Sequence, residues 1–125
     1  MQKAVRKYLR ALEAGDVEKA AALFTADGWV RSPFLGQLPV REYISKVANA
    51  SRRSELTVHD VLVSAEGHTR AVAYYLYDWQ LKDGSEVSFE CADVFNFDAN
   101  TGHIASVVLV YDTHLVREVV DNKYP

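Results

Sequence analysis

The stretch Glu90–Phe97, with the sequence ECADVFNF, decides how the rest of the chain is interpreted. It predicts a strand near the middle of a small sheet, in which apolar and aromatic residues surround one acid, Asp93. Because side chains alternate along a strand, Asp93 shares its face with Cys91 and Phe95. If that face lines a cavity, the neutral acid is favoured and can donate a hydrogen bond to a ligand oxygen. The alternative is that Asp93 lies on the polar face of an edge strand, beside Glu90.

Composition indicates one soluble globular domain over residues 1–125, with 49% hydrophobic and 25% charged residues. The net charge is −3 and no basic cluster exceeds Arg52-Arg53, which argues against nucleic acid as a partner. There is no apolar run of membrane length and no signal-peptide pattern, so no membrane partner is expected. A single cysteine excludes an internal disulfide and fits a reducing compartment, so we expect a cytoplasmic location. The widely spaced histidines argue against a metal site: His59, His68, His103 and His114.

The first half of the chain predicts three helices. Residues 2–14 form the first, because apolar residues recur at helical spacing: Val5, Tyr8, Leu9 and Leu12. Gly15 suits its end, and Asp16 suits the N-cap of a second short helix that reaches Phe24. A short strand, 29–32, and a turn, 34–38, follow. Pro39 suits the first turn of a third helix, whose stripe is Val40, Tyr43, Ile44 and Val47. Residues 51–54 are expected to form a solvated connection.

The second half predicts four long strands, at 56–65, 70–81, 86–97 and 103–113, joined by turns. The polar tail, 114–125, is expected to be partly ordered or frayed. Helices followed by a meander of strands indicate the α+β class. We expect three helices packed on a strongly curved antiparallel sheet, which forms a cone with a pocket between the helices and the concave sheet face.

The order and spacing of these motifs resemble the nuclear-transport-factor-2-like superfamily, and within it the ketosteroid-isomerase and SnoaL-type polyketide-cyclase branch. The resemblance covers roughly residues 5–113. It is carried by Tyr8–Asp16, Leu23–Val30, Ser32–Gly36, Asp83-Gly84, Asp93–Asp98 and Gly102–Ile104. It implies the α+β cone and a single SnoaL-like domain over residues 1–125. It is less specific for a reaction, because this fold carries both enzymes and binding domains.

In the ketosteroid isomerases, a tyrosine of the first helix and a protonated aspartic acid form an oxyanion hole, and a second aspartate before a proline moves the proton. Tyr8 stands eight residues before Asp16, and Asp93 nine residues after Gly84, as the resemblance requires of the two oxyanion-hole groups. The third position, before Pro33, holds Ser32, which cannot act as a base without a partner to deprotonate it. Another base is needed for proton transfer.

Two acids are candidates for that base, Asp112 on the last strand and Asp78 on the strand 70–81. The face of Asp78 depends on the length of the turn that follows it, since a shift of one residue reverses every side chain. A two-residue turn places on the face of Asp93 the set Tyr74, Leu76 and Asp78. A three-residue turn places there the set Tyr75, Tyr77 and Trp79. The aromatic set makes the better apolar wall, and we favour it.

The resemblance and the aromatic content suggest a pocket for a small apolar molecule of steroid or polyketide type. Expected ligand contacts are Ser32, Phe34, Tyr43, Tyr75, Tyr77, Cys91, Phe95 and Tyr111. The favoured function is a cofactor-independent isomerisation, cyclisation or dehydration of a carbonyl compound, with Tyr8 and Asp93 holding its oxygen. The alternative is a non-catalytic ligand-binding or dimerisation domain, and the resemblance also implies a homodimer. An epoxide hydrolase of this fold would need an arginine between two aspartates, and that trio is not assembled in the obvious place, because the residue two positions before Asp93 is Cys91.

Overall fold

The computed structural model of the chain describes residues 1–120. Its helices are α1 (Gln2–Ala14), α2 (Val17–Ala21), α3 (Val40–Ala50) and the short α4 (Arg117–Val120). Its strands are β1 (Phe24–Ser32), β2 (Gly36–Pro39), β3 (Ser51–Val63), β4 (Arg70–Leu81), β5 (Glu86–Phe97) and β6 (Ile104–Tyr111). The α+β class is confirmed, with α1, α2 and α3 in the predicted order.

The six strands form one sheet in the order β2-β1-β6-β5-β4-β3. Neighbours are antiparallel except β1 and β6, which run parallel. The predicted antiparallel meander is confirmed from β3 to β6, whereas β1 pairs with β6 in parallel, so the sheet as a whole is mixed. The cause is the connection through α3, which leads from edge strand β2 to the opposite edge strand β3. The meander from β3 then returns across the sheet, and β6 meets β1 in the same direction.

Several predicted boundaries differ from the structure: the predicted turn 34–38 contains most of β2, and the strands predicted at 29–32, 56–65 and 103–113 are β1, β3 and β6 with other ends. Strand pairing explains the two largest differences. The second helix ends at Ala21 instead of reaching Phe24, because Phe24 begins β1 and pairs with Ile104. Residues 51–54 are not a solvated connection, because Ser51 already pairs with Leu81 at the start of β3. In both places long-range pairing overrides the local pattern.

The helices cover one face of the sheet, and this is the face of the core. Along β4 and β5 the odd-numbered side chains are buried, whereas the even-numbered ones are half-buried or exposed. The predicted stripes of α1 and α3 face this core, and Val5, Tyr8 and Ile44 are fully buried. From the predicted tail, Val116 is buried and precedes α4. Residues 121–125 lie outside the described residues.

The opposite, outward face of the sheet carries two apolar rows. One row crosses three strands through Val72, Val94 and Val108, and the other through Tyr74, Ala92 and Val110. Tyr74 and Val110 are 44% and 54% exposed. Beside these outer rows His59 bonds to Glu90 through Nε2 and Oε2 at 2.9 Å.

Candidate functional site

Asp93 lies in the middle of the sheet, on the face of the core. It pairs with Ala73 of β4 and Leu109 of β6, so the alternative of an edge strand is wrong. Its side chain has no exposed surface. The Tyr75 hydroxyl donates a hydrogen bond to Oδ2 of Asp93 at 2.9 Å. The other carboxyl oxygen, Oδ1, is buried and has no hydrogen-bond partner in the described part of the chain.

Tyr8 projects from α1 into the same interior and is fully buried. Its ring contacts Phe95 edge-on, with centroids 5.3 Å apart, and Phe24 at 5.7 Å. Its hydroxyl, like Oδ1 of Asp93, is buried without a hydrogen-bond partner among residues 1–120. Burying a polar atom without a partner costs about 1–3 kcal/mol. Two such atoms in one interior call for an explanation, because nearly all buried polar groups in folded proteins have a hydrogen-bond partner.

The electrostatics of this interior keep the phenols protonated and leave the acid able to titrate. Burial raises the pKa of Asp93 from 3.8 to about 7, and the hydrogen bond from Tyr75 opposes that rise. Burial, followed by the charge of Asp93, raises the pKa of both Tyr8 and Tyr75 well above its usual value. Burial also raises the pKa of the Cys91 thiol, so a reactive thiolate is disfavoured there.

The turn between β4 and β5 determines which side chains join Asp93. Leu81 donates its N–H to the carbonyl of Ser85 at 2.9 Å, so the loop contains the three residues 82–84. Gly84 has φ 90°, a value that favours glycine. Tyr75 therefore pairs with Cys91, and Tyr77 with Phe89, on the face of Asp93. The favoured three-residue register is the one observed.

The two candidate bases are not brought to Asp93. Asp78 lies on the opposite face of the sheet, where Ser88 donates a hydrogen bond to its Oδ1. Asp112 is exposed beyond the end of β6, and its Oδ1 accepts the N–H of His114 at 2.9 Å.

Ser32 is buried at the end of β1, and its Oγ accepts the N–H of Leu35 at 3.1 Å. Two strand spacings, about 10 Å, separate the backbone of Ser32 from that of Asp93.

A row of aromatic rings leads from a half-buried rim towards Asp93. Phe34 and Tyr111 form the rim, with ring centroids 6.3 Å apart. Tyr111 contacts Phe89 at 4.9 Å, and Phe89 stacks on Tyr77 at 5.3 Å. Tyr77 lies 6.4 Å from Tyr75, which bonds to Asp93. We call these five residues the aromatic row.

The cavity beside this row is small, about 10 Å³, close to the volume that one water needs. It is lined by Tyr43, Val47, Tyr75, Tyr77, Trp79, Phe89, Cys91, Leu109 and Tyr111. The Trp79 Nε1 donates to the Ser51 hydroxyl at 2.7 Å, which fixes one end of the lining. The expected pocket is thus filled by its own side chains, and a larger ligand has to displace some of them. A larger groove, about 520 Å³, lies away from Asp93 between α1 and α2.

Sequence reasoning placed Tyr8, Asp93 and the aromatic wall but missed the bond from Tyr75 to Asp93. Tyr75 was expected only as a ligand contact. The signal was present, since a three-residue turn pairs Tyr75 with Cys91, two residues from Asp93 on the same face. Within the described residues no group of three or more histidine, cysteine or acidic side chains is arranged to hold a metal ion. No helix in the same range is long and apolar enough to cross a membrane.

Comparison with known protein families identifies the family to which this fold belongs. The model of the SnoaL-like domain matches residues 5–107. The chain belongs to the SnoaL-like family. This family is part of the nuclear-transport-factor-2-like superfamily expected from the sequence. No curated protein matches the chain by sequence.

Solved structures with similar folds come from several branches of that superfamily. A protein with a ketosteroid-isomerase-like fold from Catenulispora acidiphila, in complex with trimethylamine, has TM-score 0.79 and 13% identity over 92% of this chain and 89% of its own. A protein from Shewanella denitrificans assigned as a SnoaL-like polyketide cyclase has TM-score 0.76 and 12% identity over 94% and 93%. SalBIII, an epoxide hydrolase/cyclase-like enzyme of pyran ring formation in salinomycin, has TM-score 0.75 and 17% identity over 91% and 92%. At these identities the similarity shows the fold alone.

Proposed function

We propose that this SnoaL-like protein binds a small apolar compound through one carbonyl or phenolic oxygen, held by Tyr8 and Asp93. The observation that carries the proposal is the pair of buried, unpartnered atoms, the Tyr8 hydroxyl and Asp93 Oδ1. The phenol is a donor over the whole physiological pH range because its pKa is raised. The carboxyl of Asp93 can donate a hydrogen bond when it is protonated. Because its pKa is about 7, it is largely protonated below pH 7.

The aromatic row supports an apolar, ring-containing ligand. Its rim, Phe34 and Tyr111, is half-buried, whereas Tyr75 at its inner end is fully buried. A ligand entering at the rim would replace ring–ring contacts with its own apolar surface, so the net loss of buried area is small. The cyclase-like and isomerase-like folds among the structural neighbours support the same ligand class, a polyketide-like or steroid-like carbonyl compound.

Titration with naphthol tests this proposal, because its ring is apolar and its hydroxyl resembles an enol. We expect naphthol to bind, and Tyr8→Phe to weaken binding about tenfold or more, since one hydrogen bond in a buried site is lost. Fluorescence or NMR titration measures the affinity. The matched control is Tyr74→Phe, which removes a hydroxyl from the outward face. Equal affinities of the wild type and Tyr8→Phe would contradict the role of Tyr8.

Catalysis by isomerisation, cyclisation or dehydration requires a group that moves a proton. The non-catalytic alternative gains support from the positions of Asp78 and Asp112, which lie away from Asp93. Asp93 is the only buried acid in the described part of the chain. The choice between binding protein and enzyme therefore depends on what Asp93 itself can do.

We also propose that the protein forms a homodimer through the outward face of the sheet. The two apolar rows of that face support this, because they are contiguous across three strands and Val110 is 54% exposed. A second copy related by a two-fold axis would present the same rows in return.

The single, buried cysteine supports a reducing, cytoplasmic location.

A further inference from the structure

A second groove lies on the surface between α1 and α2, away from Asp93. Its volume is about 520 Å³, which is within the range of sites that bind small molecules, about 300–1,000 Å³. Its lining combines small apolar side chains with three cations and consists of Lys7, Arg10, Ala11, Ala14, Asp16, Lys19, Ala22 and Leu23. We call it the α1–α2 groove. The proposed function makes no use of it.

The three cations of the α1–α2 groove have no ion-pair partner among residues 1–120. Two acids of the same helices are bonded elsewhere. Oε2 of Glu13 accepts the N–H of Leu56 on β3 at 2.8 Å. Glu18 forms its ion pair with Arg41 of α3. The groove therefore keeps a surplus of positive charge, in a chain whose net charge is −3.

This positive charge is concentrated along one face of α1. Lys3, Lys7 and Arg10 recur at i, i+4 and i+7, so their side chains follow one stripe that leads into the groove. Like charges at this spacing repel each other and destabilise a helix. The acid that lines the groove, Asp16, caps α2, where its Oδ1 accepts the N–H of Lys19 at 3.1 Å. An anion bound beside Lys7 and Arg10 would relieve the repulsion within the stripe.

We propose that the α1–α2 groove is a second binding site, for a small compound with an apolar chain and one carboxylate, such as a medium-chain fatty acid. The carboxylate binds Arg10 and Lys7, because a guanidinium offers two parallel N–H donors and an ammonium adds a compact charge. The apolar chain covers the alanines and Leu23, which lie half-buried or exposed along the rest of the groove except for Ala11. This site goes beyond the proposed function and does not depend on it.

The dimensions of the groove favour a small molecule over a protein or a membrane. The helix α2 has five residues, so it is about 7–8 Å long, whereas a stable protein partner covers about 800 Å² of surface. A membrane-binding helix needs large apolar side chains that project outwards. The apolar stripe of α1 is instead buried in the core, and the groove offers alanines and the half-buried Leu23.

Titration with octanoate, followed by amide chemical shifts in NMR spectra of the labelled protein, tests the proposal. We expect saturable shifts at the amides that line the groove, and an affinity that falls as salt is added, because the cations are exposed. Octanol has the same chain without the charge and should bind at least about tenfold more weakly. The double variant Lys7→Gln, Arg10→Gln should weaken octanoate binding about tenfold or more, because it removes two charge-assisted hydrogen bonds.

The matched charge control is Arg6→Gln, at an exposed cation of α1 that does not line the groove, and it should change the octanoate affinity by less than about twofold. Ala22→Phe fills the groove but keeps every charge, and it should also weaken binding about tenfold. Its control is Ala99→Phe, which adds the same ring at an exposed turn and should bind octanoate like the wild type.

Three results would overturn the proposal: no saturable shift at the groove amides, octanol that binds as tightly as octanoate, or a double variant with the wild-type affinity. Octanoate shifts confined to the interior around Asp93 count as the first of these. Naphthol binding should be the same in the double variant and the wild type, because the interior does not contain Lys7 or Arg10. Failure of naphthol to bind would refute the proposed function and leave this site in place.

Discussion

Replacing Asp93 with asparagine should remove a pH dependence from the stability of the folded chain. In the folded state the pKa of Asp93 is raised from 3.8 to about 7 by burial. Between these values the folded state binds the proton that the unfolded state has released, so raising the pH destabilises the fold. The contribution of this acid to stability is greatest below about pH 4 and is lost as the pH rises to about 7. The full difference is about 4 kcal/mol, of which about 2–3 kcal/mol falls between about pH 5 and pH 8.

Urea unfolding at a series of pH values measures the effect, with the fluorescence of Trp29 and Trp79 as the signal. The wild type should lose free energy of unfolding with a slope approaching about 1.4 kcal/mol per pH unit in the middle of the window. The slope of Asp93→Asn should be smaller by that amount, whatever its stability at any single pH. All other ionisable groups are the same in both proteins, so their contribution cancels in the difference.

The matched control is Asp112→Asn, whose carboxyl is exposed in the folded chain. It should show the wild-type slope. If Asp93→Asn and the wild type have the same slope, Asp93 does not titrate near 7 in the folded state. That result would contradict the raised pKa that burial gives to this carboxyl.

The remaining predictions concern single side chains. Tyr8→Phe should leave the free energy of unfolding unchanged or raise it by about 1 kcal/mol, because it removes a buried hydroxyl that has no partner in the described chain. Tyr75→Phe should lower the free energy of unfolding by about 1–3 kcal/mol, because Oδ2 of Asp93 loses its donor. Urea unfolding measures both variants, and equal effects of Tyr8→Phe and Tyr75→Phe would contradict the assignment of the hydrogen bonds. Val110→Arg should convert a dimer to a monomer in sedimentation experiments, because it places a charge in an outer apolar row. The control is Val63→Arg, at a side chain that is 46% exposed but lies outside the rows, and it should leave the dimer intact. A wild-type protein that is already a monomer would refute the interface.

Local sequence patterns were sufficient to predict the helices and to predict which side chains share a sheet face with Asp93. The stripe that contains Tyr8 has the helical period, and the alternation around Asp93 has the strand period, so both follow from a few neighbouring residues. Gly15 and Asp16 mark the end of one helix and the start of the next by their own chemistry, and the structure shows Asp16 accepting the N–H of Lys19 at 3.1 Å.

Features that depend on distant parts of the chain were not available from such patterns. The parallel pairing of β1 with β6 follows from the path of the chain through α3, which no local period records. The start of β3 at Ser51 is set by its partner Leu81 on β4. The size of the cavity, about 10 Å³, depends on how six aromatic rings pack together, and residue types do not determine it.

The length of one turn determines the chemistry of the interior. With two residues in the turn, Asp78 would share the face of Asp93, and a second acid would be available to move a proton. With the three residues observed, Asp78 lies on the other face, and Tyr75 meets Asp93 across 18 positions of sequence. The interior therefore contains the phenol of Tyr75 instead of the carboxylate of Asp78. This phenol cannot take a proton at neutral pH, but its hydrogen bond stabilises the ionised form of Asp93. The register that excludes Asp78 therefore also supplies the hydrogen bond to Oδ2 of Asp93, and it leaves Oδ1 as a carboxyl oxygen of this interior without a partner among the described residues.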